Sequence, residues 1–198
     1  MGDLDETVTE AVERASESRL NSLIAAVVAL AATFMALSNV KDGNIGQAMT
    51  REQAEAIDSW NYYQAKSMKQ NLAEATRDQL IALKAVNGER AAQGAALDKR
   101  IESYTADVAR YEHEKNEIKA QAEGHQRQYD ELNLRDDQFD LSDAAMSVSI
   151  ALLGVTALTR KRWLLAVAAV FLSFGVFFGV AGFLGLRIHP DALMSWLS

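Results

Sequence analysis

In this 198-residue chain, three histidines are the leading candidates for chemistry, because imidazole is a common metal ligand and proton carrier. They are His113, His125 and His189, and no two of them stand three or four residues apart. A metal site built on one helix needs such spacing, so a site within one chain has little support. His113 with Glu114 and Glu117 offers a weak ligand set, which an exposed helix face explains better. We expect no metal and no cofactor.

The motifs of nucleophilic and phosphate chemistry do not occur. The sequence contains no GxSxG, no GxxxxGK[ST] and no GxGxxG after a strand. With no cysteine, it offers neither a thiol nucleophile nor a disulfide. We therefore expect a protein that is not an enzyme.

Asp143 lies one turn inside a strongly apolar segment. The dipole at a helix N-terminus stabilises an acid there, so a structural cap is the interpretation that we favour. An ion pathway is the alternative, because an acid within a membrane segment is a frequent mark of one.

The sequence contains three long apolar segments: 20–40, 141–159 and 163–186. Each is free of Lys, Arg and Glu and is close to the ~20 residues with which an α-helix crosses a bilayer. They predict three transmembrane helices. Residues 1–19 are an acidic tail, expected to be helical and not a cleavable signal, and residues 187–198 are a C-terminal tail.

Small residues recur at helical spacing in the first and third segments. In lipid, small side chains let helices approach closely, so we expect these residues to pack helices. Packing within one protomer is the interpretation that we favour, and contact between protomers is the alternative. The residues are Ala25, Ala29, Ala32, Ala36, Gly175, Gly179 and Gly182.

Residues 41–140, between the first two segments, are polar and carry 14 basic and 19 acidic residues of interspersed sign. This pattern is typical of a solvated helical surface and not of a nucleic-acid site. Within it, core-type residues alternate steps of four and three, which predicts a helix in a supercoil with another helix. They are Leu97, Ile101, Tyr104, Val108, Tyr111, Lys115, Ile118, Ala122, His125, Tyr129 and Leu132.

A rougher stripe precedes this seam. The turn-rich residues 41–46 and the capping pattern of residues 50–53 predict a new helix there, and Asn87-Gly88 would end it. We predict an antiparallel coiled-coil hairpin of residues 50–87 and 95–134 that stands off the membrane. The stripe comprises Ile57, Trp60 or Asn61, Gln64, Met68, Leu72, Ala75, Gln79, Leu83 and Val86.

Three aromatic residues stand within four positions of the first hairpin helix, and they cannot all face one seam. They could form the base of the hairpin or an interfacial belt. Alternatively, they dock another protomer or protein. The candidate interaction surface comprises Trp60, Tyr62, Tyr63, Lys66 and Lys69.

Several short segments carry a resemblance to a known family. They are WNYYQAKSMKQ from Trp60, YEHEKNEIK from Tyr111 with Ala122-Glu123 behind it, FDL from Phe139 and LTRKRWL from Leu158. Together they resemble the bacterial membrane family catalogued as domain of unknown function 4337, from residue 15 to about residue 186. The resemblance implies three membrane helices with a helical domain between the first two. It implies no activity and no catalytic residues.

The sequence thus predicts an all-α integral membrane protein. We expect a scaffold or adaptor that forms a homo-oligomer in the lipid bilayer and docks other envelope proteins, without nucleic acid. A channel or an accessory subunit of a transport complex is the alternative. The short basic turn Arg160-Lys161-Arg162 favours a bacterial inner membrane with the hairpin on the periplasmic side.

Overall fold

The computed structural model describes residues 2–87 and 91–188, with side chains described for residues 19–86 and 94–188. Helix α1 comprises Gly2–Asn87, α2 comprises Ala91–Thr159 and α3 comprises Arg162–Leu184. The described residues contain no strand, which confirms the all-α class. Each helix includes a stretch long and apolar enough to cross a membrane. The hairpin connection, predicted near residues 87–95, is shorter than expected, since α2 begins at Ala91. Residues 88–90 of it and the tail from residue 189 lie outside the described part.

The chain divides into two compact units. Residues 49–130 form the hairpin unit, made of parts of α1 and α2. Residues 2–48 and 131–188 form the apolar unit, to which all three helices contribute. The acidic N-terminal segment is helical, because α1 begins at Gly2.

In the hairpin unit, α1 and α2 pack against each other in antiparallel fashion. Lys84 pairs with Asp98 and Lys66 with Glu114, so residue numbers fall on α2 as they rise on α1. All eleven predicted seam positions of α2 are buried or half-buried, and Ile118 is 6% exposed. The heptad pattern of α2 therefore marks the side of that helix that is covered.

The predicted stripe of α1 is wrong, because every one of its positions is exposed. The covered positions of α1 also alternate steps of four and three, but they are mostly small or polar. The physical reason is that α2 brings bulky and charged side chains to the seam, which need small neighbours and hydrogen-bond partners. The covered residues at this spacing are Glu52, Ala56, Ser59, Tyr63, Lys66, Gln70, Ala73, Arg77 and Leu80, and beside them Ser67, Glu74 and Thr76 are half-buried.

Both long helices run without a break through segments where the sequence predicted a turn or a cap. Residues 41–46 are helical despite two glycines, which together disfavour helix by about 2 kcal/mol relative to alanine. Burial of this helix face offsets that cost, since Ile45 is fully covered. Asp143 is likewise in the middle of α2, so neither it nor residues 50–53 cap a helix.

The apolar unit closes around residues from all three helices, with Ile24, Leu153 and Ala168 at its centre. Helix α3 ends at Leu184 and is capped by Gly185, whose φ of 65° is the left-handed conformation that glycine adopts without strain.

Side chains of α2 bind the end of α3. Arg135 Nε donates to the Gly182 carbonyl at 3.1 Å. Gln138 Nε2 donates to the carbonyls of Leu186 and Ile188 at 2.8 and 2.9 Å.

The corrected face of α1 can be tested with two alanines that stand two positions apart. Ala73 is buried in the seam, whereas Ala75, on the wrongly predicted stripe, is exposed. Ala73→Leu overpacks the seam, and we expect it to lower the free energy of unfolding by about 1–3 kcal/mol. Ala75→Leu should not lower it by more than about 0.5 kcal/mol. Thermal unfolding of the full chain followed by circular dichroism measures both, and the reverse order would restore the original stripe.

Candidate interaction surfaces

Gln70 lies at the centre of a polar network across the hairpin seam. Its side chain is buried, its Nε2 donates to Glu112 Oε2 at 2.8 Å, and its Oε1 accepts from Lys115 Nζ at 2.8 Å. Lys115 also pairs with Glu112 at 3.1 Å. The hydrogen bond from Gln70, followed by that from Lys115, holds the pKa of Glu112 below its usual range. The lysine that interrupts the apolar pattern of α2 therefore has its partners inside the hairpin.

Lys66, one turn before Gln70 on α1, makes a second contact across the hairpin seam. Its Nζ pairs with Glu114 and lies 5.2 Å from the centre of the Tyr62 ring and 5.5 Å from that of Tyr111. The hydrogen bond between Lys66 and Glu114 raises the pKa of Lys66 and lowers that of Glu114. This lysine is therefore held by a carboxylate and two aromatic faces.

His125 pairs with Glu52 on α1, with 2.7 Å between Nδ1 and Oε2. Glu52 is 6% exposed, and the hydrogen bond from His125 is the main cause that lowers its pKa. Among the residues that the structure describes, no group of three histidines or acids is arranged to hold a metal ion. The contact gives His125 a role in joining the two helices.

The five residues of the candidate interaction surface do not share one face. Tyr63 and Lys66 are half-buried at the seam, and the Tyr63 ring lies 5.7 Å from Lys115 Nζ. Trp60, Tyr62 and Lys69 are exposed. Trp60 and Tyr62 stand two positions apart and so point about 200° apart around the helix. The outward residues therefore divide between two sides of α1.

The predicted glycines of α3 pack helices within one chain. A Cβ at Gly179 would come within 2.6 Å of the Phe34 ring on α1 and 2.7 Å of Ser142 Oγ on α2. A Cβ at Gly175 would meet Met146 at 2.5 Å, and one at Gly182 would meet a ring of α2 at 3.0 Å. These distances leave no room for a side chain, so the three glycines form the surface on which the neighbouring helices rest.

The predicted alanine row of α1 lies on the outside of the apolar unit. Ala25, Ala29, Ala32 and Ala36 are all exposed, whereas Ala31 is buried. A cavity of about 470 Å³ opens beside Ala31, with almost wholly apolar walls. Its lining residues are Val27, Leu30, Ala31, Thr33, Phe34, Leu37, Met146, Leu172 and Val176.

An acidic cluster occupies the apolar unit where α1 passes residue 42. Burial, followed by the charges of Asp42 and Asp140, raises the pKa of Asp136 to about 6. Burial is also the largest cause that raises the pKa of Asp140, ahead of the charge of Asp42. A hydrogen bond with the Asp42 carboxyl also favours the protonated form of Asp136 and so adds to the rise of its pKa.

The family model described as Domain of unknown function (DUF4337) matches residues 20–185. The chain belongs to the DUF4337 family. No curated protein and no solved structure matches it. The match covers both units of this DUF4337 chain, so the hairpin and the helices of the apolar unit both belong to what defines the family.

The sequence pattern does not predict the polar seam of α1 in this DUF4337 protein. Lys66 falls in the candidate interaction surface, Glu52 falls in the predicted capping pattern of residues 50–53, and Gln70 falls in no predicted seam. The signal was present, since these residues share the heptad spacing of the α2 seam. It was concealed because an apolar stripe on the opposite side of α1 gives the stronger pattern.

The acidic cluster makes the stability of this DUF4337 protein depend on pH. Because the folded pKa of Asp136 exceeds its ordinary 3.8, the native state binds more protons between about pH 4 and pH 6. Stability contributed by this group is therefore present at low pH and is lost as the pH rises through 6. At pH 7.5, we expect Asp136→Asn to raise the Tm by about 2–4 °C, the shift typical of about 1 kcal/mol.

At pH 5 that gain should be much smaller. The exposed Asp58 gives the control, and Asp58→Asn should leave the Tm unchanged at both pH values. An equal gain from Asp136→Asn at both pH values would contradict the assigned protonation.

Proposed function

We propose that this protein is a membrane-anchored scaffold or adaptor, not an enzyme, that self-assembles and docks other proteins of the envelope. The observation that carries the proposal is how the hairpin unit distributes its side chains. Polar groups that could do chemistry, such as Lys66, Lys115 and His125, are paired across its own seam. Large apolar and aromatic side chains, among them Met68 and Tyr62, lie on its outside.

A channel or an accessory subunit of a transport complex is the second candidate. The buried oxygens Asp42 Oδ1 and Asp143 Oδ1 have no hydrogen-bond partner among the described residues, which favours it. The glycines of α3 do not support it, because rings and side chains of the same chain cover them. The scaffold is therefore the better supported of the two.

The mass of the assembled protein and its ion conductance together distinguish a scaffold from a channel. For a scaffold, native mass spectrometry of the full chain in mild detergent should show a homo-oligomer. The same preparation in planar bilayers should show no ion current above the lipid background. A monomer without current contradicts the self-assembling scaffold, and a steady single-channel current supports the channel.

The proposal includes a location in a bacterial inner membrane, with residues 41–140 on the periplasmic side. Short basic loops are retained in the cytoplasm, whereas long domains cross largely irrespective of charge. Arg160 and Lys161 form the short link between α2 and α3, and Arg162 is the first residue of α3. This concentration of charge supports a cytoplasmic link.

Single cysteines test the orientation, because the chain has no cysteine of its own. Ala95 and Thr159 are both exposed. In intact spheroplasts, a membrane-impermeant maleimide should label Ala95→Cys and should label Thr159→Cys only after lysis. Labelling of Thr159→Cys alone before lysis would place the hairpin in the cytoplasm.

A further inference from the structure

The exposed stripe of α1 in the hairpin unit repeats every eleven residues. Ile57, Met68 and Gln79 are separated by eleven, as are Asn61, Leu72 and Leu83 and then Gln64, Ala75 and Val86. Eleven residues in three turns give about 3.67 residues per turn, close to the 3.6 of a straight α-helix. The nine residues therefore stay on one side of α1, and we call this side the outer face.

The outer face is more apolar than the seam that α1 presents to α2. Met68, Leu72 and Val86 are 73%, 69% and 83% exposed. The covered positions of α1 include a single large aliphatic side chain, Leu80. Burial of apolar area lowers the free energy. In the single chain, the side of α1 whose burial would stabilise the protein most is therefore the one left exposed.

No charged residue interrupts the outer face. At the helical angle of the repeat, Trp60, Asn71 and Ala82 border it on one side and Ala65 and Thr76 on the other. The charged residues of this stretch all lie farther round the helix, and they are Asp58, Lys66, Lys69, Glu74, Arg77, Asp78 and Lys84.

A charged partner would require charges on the outer face that are not there. A bilayer surface fits poorly as well, because residues 41–140 carry 14 basic against 19 acidic residues and anionic lipid repels such a segment.

We propose that the outer face binds the same face of a second copy of this chain, with the two α1 helices parallel and in register. In that arrangement each residue meets its own equivalent, so apolar positions meet apolar ones. The polar members Asn61, Gln64 and Gln79 are all amides, and an amide can both donate to and accept from its equivalent. A lysine or glutamate at these positions would meet a like charge.

The available area suits an interaction between copies anchored in one membrane. The face is about 45 Å long and about 10 Å wide, which gives roughly 900 Å² for two copies, slightly below the ~1,000 Å² that a specific interface is expected to exceed. Confinement to a bilayer raises the effective concentration and compensates for the modest area. The inference rests on the proposed self-assembly and specifies which surface carries it.

Disulfide cross-linking tests the pairing and its direction. Ile57 and Tyr62 are almost equally exposed, at 54% and 53%, but Tyr62 lies far from the outer face. After mild oxidation of the full chain in detergent, Ile57→Cys and Val86→Cys should each give at least about tenfold more covalent dimer than Tyr62→Cys. Dimer formed only when Ile57→Cys is mixed with Val86→Cys would overturn the parallel arrangement.

Charge placed on the outer face separates this inference from the proposed function. Met68→Glu with Leu72→Glu should convert the oligomer to monomer while the helical circular dichroism stays unchanged, since both side chains are exposed in the single chain. Ala106→Glu with Ala109→Glu, on exposed positions of α2, should leave the oligomer intact. An oligomer that survives the first pair overturns the outer face and leaves self-assembly standing, whereas a monomeric unmodified chain overturns both.

Discussion

The buried amide of Gln70 fixes how the two helices of the hairpin unit face each other. Apolar side chains can slide past one another by a turn and still be buried, but a buried amide needs a partner for each of its two ends. Glu112 and Lys115 supply them. Leaving a buried polar group unpaired costs about 1–3 kcal/mol, so a shifted register is disfavoured. The ion pairs of Lys66 and His125, at other positions along the same seam, favour the same register.

Packing in the apolar unit depends instead on glycines of α3, which have no side chain. Gly175 and Gly179 let Met146, Ser142 and Phe34 approach the backbone of α3. In hydrocarbon, helices gain little by exchanging lipid for an apolar side chain, so close backbone approach is the means by which contacts accumulate. The ring of Phe183 completes this contact, 6.1 Å from that of Phe34 on α1 and 5.1 Å from that of Phe139 on α2.

Some of this could be predicted from sequence, and the difference is physical. The α2 seam could be predicted because its large apolar residues, such as Ile101, Val108 and Ile118, lie on the side of the helix that the partner covers. The α1 seam, with Ala56, Ser59 and Gln70, carries no such signal, since its pairing depends on residues about forty positions away.

The helix through residues 41–46 could not be predicted from the sequence, for the same kind of reason. Glycine propensity is local, whereas the burial of Ile45 that outweighs it is tertiary. The glycines of α3 were recognised because small residues at helical spacing in an apolar segment have a direct steric meaning.

The hydrogen bonds from Arg135 and Gln138 have a consequence for how the chain assembles. The last carbonyls of an α-helix have no partner within the helix and usually turn to water. At the end of α3, the backbone N–H groups of Gly185 and Leu186 cap Ala181 and Gly182. The donor to the next carbonyls along the chain, those of Leu186 and Ile188, is the completely buried Gln138 of α2. Without α2 these two carbonyls would lose that donor, so we expect the residues that follow α3 to take this conformation only when α2 lies beside them.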